Sequence, residues 1–261
     1  DHGLSIFNSE INGFTLSGSQ VRGPITVSGC TFNQIFSLQN GNLYGMVLCS
    51  STQFQRVHFM NAFMSDTVEF LNCTIGKSGN FGRITCQKGI SIEGCVFNGP
   101  VNFGEAYLKG DNFFRRTEFF HDASFSRILA TGSILFEKVL FGSIADFSGA
   151  ALPHAKFLQS NFEGIANFQE SIYSGGLVFS ESEFKKRSHF SRTIFLQKAD
   201  FRETRFHGLV SFANMLGDYI LLSRNQIEGK LAAEREKDFE MAEQEYLDRK
   251  STRLNSSHVS Q

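Results

Sequence analysis

The sequence predicts an all-β repeat fold in which short sides of chain are wound one above the next. Three observations predict it. Large apolar residues, mostly Phe, recur every eleven residues in two interleaved series; a small or β-branched residue stands two places before most of them; and opposite charges recur at a spacing of 22. A helix repeats at 3.6 residues and a strand at two, so neither alone produces the period. Thirty Phe with no Trp and three Pro in 261 residues is the composition of one small unit used many times.

The first series is Phe59, Phe70, Phe81, Ile92, Phe103, Phe114, Phe125, Phe136 and Phe147; it loses one residue near "GAALPHA" and resumes as Phe157, Phe168, Phe179, Phe190, Phe201 and Phe212. The second is Phe97, Leu108, Phe119, Ala130, Phe141 and Leu152, then Phe162, Tyr173, Phe184, Phe195 and Phe206. From Phe103 onward in the first series, and from Phe162 in the second, these residues are the predicted core ladder. Upstream, Phe14, Ile25, Phe36 and Val47 keep step, as do Val21, Phe32, Leu43 and Phe54, with the register blurred between about residues 44 and 66. The position two earlier, as at Cys95, Ala106, Thr117, Ser160 and Thr193, reads as a second inward side chain, with a polar residue facing out between them. Gly and polar residues, as in "FSG" at 147–149 and "FHG" at 206–208, then turn the chain.

Charge separates a coil of 22 residues from one of 11. Residues one coil apart sit about 4.8 Å from each other, where like charges repel and opposite charges attract. Between 97 and 212 a spacing of 22 gives five opposite pairs (Glu105/Arg127, Arg115/Glu137, Glu163/Lys185, Glu170/Arg192, Glu183/Arg205) against two like pairs, Arg116/Lys138 and Glu181/Glu203; a spacing of 11 gives three against five. Rings at one site per coil would then stack within the range where offset aromatic pairs attract.

The segments "ADFSG" (145–149), "ANFQE" (166–170) and "ADFRE" (199–203) resemble the pentapeptide-repeat family, whose unit is Ala-(Asp/Asn)-Leu-x-x with Phe often replacing Leu. The resemblance spans about three quarters of the chain and implies a right-handed, parallel, quadrilateral β-helix. One departure is that the alternation of fives and sixes gives a coil of about 22 residues, where the family's standard coil is four fives.

The expected organisation is a β-helix over 1–212, a connector and capping helix over 213–247, and a tail at 248–261. "NQIEGKLAAEREKDFEMAEQEYL" (225–247) reads as a C-terminal α-helix with Ile227, Leu231, Phe239, Ala242 and Tyr246 as a partial apolar stripe. Residues 248–258 resemble translated sequencing adapter and are expected to pack against nothing. The absence of an initial Met suggests a fragment.

The formal net charge is −1, with 19 basic against 18 acidic residues over 1–224 and 6 against 8 over 225–261, so no strong field favours nucleic acid or an anionic membrane. Apolar runs such as "YILL" at 219–222 are too short to span a bilayer. Cys30, Cys73 and Cys95 fall on inward positions and read as inert core thiols, which points to a reducing, cytoplasmic setting. "NCT" at 72–74 sits inside the repeat and is not expected to be glycosylated. His58 and His189 occupy outward positions; the His121-Asp122 pair and "KKR" at 185–187 read as surface. No catalytic, cofactor-binding or metal-binding residue is predicted.

The leading expectation is therefore a non-enzymatic β-helical scaffold for protein–protein interaction, its partner unspecified, a homodimer allowed and nucleic acid excluded. One alternative is the soluble repeat region of a membrane protein, channel-like, with spans in a missing C-terminal segment. Another, taken from family members that bind DNA gyrase, is DNA mimicry. It needs a sustained acidic face, whereas residues 1–100 carry five charges of each sign.

Overall fold

The structure, a computed structural model, describes residues 3–217 and 220–231. The chain climbs as a parallel β-solenoid with four strands per coil. In one coil these are Ile90–Glu93, Val96–Phe97, Val101–Asn102 and Tyr107–Leu108, and the next coil begins at Asn112–Arg115. We call the four columns of strands the first to fourth faces. The first stacks 11 strands and the fourth 10. The second and third are joined where the strands Thr31–Ser37, Gln53–His58 and Thr74–Asn80 run through the corner between them.

All these pairings are parallel, and their offset is one coil. Ile92 pairs with Phe114 and Phe114 with Phe136, an offset of 22, while Phe136 pairs with Phe157, an offset of 21. The missing residue lies where the fourth face enters the first. Leu152 to Phe157 is five steps, against six for Leu108 to Phe114. An earlier slip accounts for the blurred register upstream. Phe54 to Phe59 is five steps where Ile75 to Phe81 is six, at a corner where the pairing of Thr31–Ser37 with Gln53–His58 shifts register.

That slip corrects the upstream series. Phe14 pairs with Phe36 and Ile25 with Val47, but these are the earlier of the two inward positions on their sides. The residues in register with the downstream Phe columns are Val27 and Cys49 on the first face, since Cys49 pairs with Phe70. Both inward positions are buried there, so when the later one holds Val or Cys the sequence does not mark it as the larger.

Inside, the first series divides between the first and third faces and the second series between the second and fourth. Phe103, Phe114, Phe125, Phe136, Phe147, Phe157, Phe162, Phe168, Tyr173, Phe179, Phe184, Phe190, Phe195, Phe201, Phe206 and Phe212 are all buried. On the third face, rings stack at 5.1 Å (Phe103–Phe125), 4.9 Å (Phe125–Phe147) and 5.0 Å (Phe147–Phe168), with planes within 5°. First-face rings stack likewise and meet the third-face rings edge-on, as Phe136 meets Phe147 at 5.4 Å and 89°. The two columns thus interlock in the two geometries that ring quadrupoles favour. Burying each ring contributes roughly 1.5–3 kcal/mol in transfer terms. The fourth-face column is mostly aliphatic or small: Leu108, Ala130 and Leu152 precede the stacked pair Tyr173 and Phe195, 5.5 Å apart.

Two of the four corners are turned by a residue with positive φ, and fifteen of these among the described residues are not Gly, including Glu105 (59°), Arg127 (52°) and Glu170 (59°). Each such residue costs about 1–2 kcal/mol of backbone strain. Hydrogen bonding offsets it. The Glu105 N–H donates to the Ser126 carbonyl one coil on, at 2.9 Å. The small inward residue that follows the corner residue donates its hydroxyl to buried carbonyls: Ser171 to Phe147 at 2.9 Å and Phe168 at 2.7 Å, Thr193 to Phe168 at 2.8 Å. Ser and Thr at this position therefore satisfy the turn as well as fitting the space.

At the C-terminal end the apolar period stops at Phe212, but the ladder continues through Leu216–Gly217 and Ile220–Leu221. A single helical turn, α1 (Arg224–Ile227), follows. Gln226 stands 22 residues after Thr204 and takes over its role. Its Nε2 donates to the carbonyls of Phe201 (2.7 Å), Thr204 (2.7 Å) and Arg202 (3.2 Å), closing the last corner. The predicted helix over 225–247 is corrected in its described part: it ends at Ile227, because a turn at 228–230 with Gly229 at φ 65° leads Leu231 into a bridge with Val210. Residues 232–247 and the adapter-like 248–258 lie outside the described residues.

Candidate functional site

The inward side chains are consumed by the core, so any site is built from outward ones. Most charged residues form ladders along the corners. At the third-to-fourth corner, Arg83 and Arg127 both reach Glu105, at 2.9 and 3.3 Å, and Arg192 pairs with Glu170. At the first-to-second corner, Arg115 pairs with Glu137 at 3.4 Å and Arg116 turns back to Glu93. Of the five opposite pairs expected from a spacing of 22, four form ion pairs. Lys185 instead bonds Glu183 in its own coil. Signs alternate along the third-to-fourth ladder, and the first-to-second corner passes from Arg116 and Lys138 to Glu181 and Glu203, so neither is acidic throughout.

On the second face, Gln159, Asn161, Glu181, Glu183, Glu203 and Arg205 line a shallow depression of about 560 Å³. Its central carboxylate, Glu183, is engaged by Lys185, Arg205 and His207, and the hydrogen bond from Lys185 holds it below the usual carboxylate range. Of the other two carboxylates, Glu181 accepts from Gln159 at 2.9 Å and Glu203 from the Ser180 hydroxyl, so each is engaged within the chain. Asp200, on the first face, is pulled down to about 2 by its hydrogen bond to Arg202.

His121 and Asp122 are exposed, and Asp122 accepts from the Ser143 hydroxyl (2.6 Å) and the Ile144 N–H (3.2 Å) one coil on. Asn72 of "NCT" turns a corner at φ 52°, and Cys73 is buried. All five Cys are free and buried. Burial pushes the Cys86 thiol up to about 12 and Cys49 upward. No group of three or more candidate metal ligands occurs among the described residues.

The third face presents a polar row: Asn80, Asn102, Ser124, Asp146, Asn167 and His189 stand one per coil. The first five of these side chains hydrogen-bond their own turns. Asn102 accepts from Gly104 N–H at 2.7 Å and Asn167 from Gln169 N–H at 3.2 Å, while Asn167 also donates to Asp146 at 3.0 Å. The outward row of the fourth face is different. Tyr107, Leu129, Ala151, Ile172, Ile194 and Leu216 pair one above the next. Leu129 is 46% exposed, Ile172 40% and Leu216 62%, and Leu196 beside them 63%. At about 4.8 Å per coil this is an apolar ridge roughly 24 Å long, rimmed by the Arg/Glu ladder. Its signal in the sequence is a run of apolar residues, repeating once per coil, in an outward slot that the third face fills with polar ones.

Residues 157–205 match the family model for pentapeptide repeats (9 copies). That segment is a run of pentapeptide repeats. Two trypsin-treated variants of QnrB1, a plasmid-mediated fluoroquinolone resistance protein, are similar solved structures. One is 16% identical with a TM-score of 0.36, covering 87% of this chain and 88% of that one. The other is 15% identical with a TM-score of 0.29, covering 83% and 91%. No curated protein matches the chain. The matched segment lies within stacked coils, where Ala166 and Ala199 fill the earlier inward position and Phe168 and Phe201 the later one. Among the described residues no helix is long and apolar enough to cross a membrane.

Proposed function

We propose that the chain is a non-enzymatic pentapeptide-repeat scaffold that binds protein through its fourth face. The observation that carries this reading is the exposed ridge from Leu129 to Leu216, beside an Arg/Glu ladder and a third-face polar row that bond within the chain. A flat ladder of apolar rungs suits another protein surface, since it offers area without an enclosing pocket or convergent reactive groups. DNA mimicry is disfavoured because neither corner ladder is acidic throughout.

Photo-crosslinkers placed at Leu129, Ile172 and Leu216, compared with Asn102 and Asn167 on the third face, test the reading in cell extract. Crosslinks concentrated on the fourth face are expected. Crosslinks spread evenly over both faces, or a chemical turnover abolished by one point substitution, would overturn it.

A further inference from the structure

We infer that the partner on the fourth face is a second copy of this chain, packed antiparallel about a twofold axis beside Ala151. The inference rests on the protein-binding reading of that face and adds its occupant. The argument comes from the rim. At the third-to-fourth corner the residues read, coil by coil, Arg83, Glu105, Arg127, Gly149, Glu170 and Arg192. A twofold axis lying in the plane of the face, across the stack, leaves this row on its own side and reverses its order. Centred on Gly149, it sets Arg127 of one copy against Glu170 of the other, and Glu105 against Arg192. From Glu105 to Arg192 the row is thus antisymmetric about Gly149 and complementary to its own reverse, while Arg83 falls against the uncharged Asn214. Placing the axis along the stack would instead bring Arg127 and Glu170 against Thr131 and Ser174, leaving both charges without a partner across the interface and only Glu105 facing a charge, Lys109.

The ridge obeys the same centre. Ala151, its smallest member, falls on the axis, and Leu129 meets Ile172 of the second copy on either side. Gly149 and Ala151 lower the surface where the two copies cross, while the bulkier rungs rise away from it. The rim charges already pair along each chain, at Arg127–Glu105 and Arg192–Glu170. The second copy would join these pairs into a four-charge network on each side of the axis, which favours one register over others.

Sedimentation of the purified full chain tests the inference. A dimer is expected, with Ile172→Lys giving folded monomers whose melting temperature no longer depends on protein concentration. Arg127→Glu and Glu170→Arg should each weaken the dimer about tenfold by placing like charges across the interface. The double variant should regain most of that loss. Rescue cannot come from within one chain, because the double variant still opposes Glu105 to a carboxylate and Arg192 to a guanidinium. A bismaleimide of about 10 Å span, the spacing of facing sheets, should link Ala151→Cys copies and not Asn161→Cys copies, since the native thiols are buried. A monomer at every concentration, a dimer indifferent to Ile172→Lys, or a double variant no tighter than the singles would overturn the inference. A monomeric chain that keeps fourth-face crosslinks in extract would sink the homotypic pairing and leave the protein-binding reading intact.

Discussion

The third and fourth faces share one backbone and one hydrogen-bond ladder, yet they treat the outward slot in opposite ways. On the third face, Asn102, Asp146 and Asn167 turn their side chains onto the N–H groups two residues on, so the row is spent on its own corner. On the fourth, Leu129, Ile172, Ile194 and Leu216 have nothing to bond and stand clear of the sheet. The interiors behind them differ too: an unbroken Phe stack lies behind the third face, and mainly aliphatic or small residues behind the fourth. The difference teaches that a solenoid can assign stability to one side and recognition to another without changing its fold, because each outward slot touches only its neighbours one coil above and below.

The interior contrast should give the largest effect. Phe147→Ala removes a ring held between Phe125 and Phe168 and is expected to cost about 3–5 kcal/mol, against about 2–4 for Leu152→Ala in the fourth-face column. Denaturant unfolding with hydrogen exchange around each coil would check this, and equal costs would erase the distinction between the columns. At the corner leading from the fourth face, Asn112 is fully buried; its Oδ1 accepts from Ile90 N–H at 3.2 Å and its Nδ2 donates to Gly110 and Ser133 carbonyls. Asn112→Leu should cost about 3 kcal/mol by leaving those groups unpaired. Two buried oxygens, Tyr173 OH on the fourth face and Ser188 Oγ on the third, have no hydrogen-bond partner. Tyr173→Phe and Ser188→Ala should therefore each stabilise the chain, by about 1 kcal/mol.

On the surface, Asn167→Leu should cost about 1 kcal/mol, by freeing the Gln169 N–H, whereas Ile172→Asn should change stability by less than about 0.5 kcal/mol and act on association alone. The smallest effect is pH-dependent. Burial, and then Arg56 and Arg187 respectively, hold His58 and His189 on the third face below the ordinary histidine value. The unfolded chain therefore takes up protons first, so this contribution is complete above about pH 6.5 and is lost as pH falls through that value. Melting between pH 7 and 5 should show a decline that His189→Asn reduces. Dimerisation through a rim of Arg and Glu should stay flat over the same window.

Much of this was legible in the sequence. A ring repeated every eleven residues has one economical explanation, a coil with inward sites on opposite sides, and the ion pairs Glu105–Arg127 and Arg115–Glu137 were readable as a coil of 22. The candidate site was less legible. Leu129 or Ile172 read alone is an ordinary surface residue; only alignment by coil, through slips of one residue, puts them in a row. The upstream register failed for a related reason, since Ile25 and Val27 are both inward and apolar.

By itself the sequence determined the all-β class, the coil length and the identity of the ring columns, because a buried ring repeated in register leaves few places for the chain between to go. Tertiary structure alone decided which corner takes the left-handed residue, how Gln226 closes the stack, and which outward rows lie beside each other. Those depend on hydrogen bonds and neighbours about twenty-two residues away, at separations where local pattern carries no information.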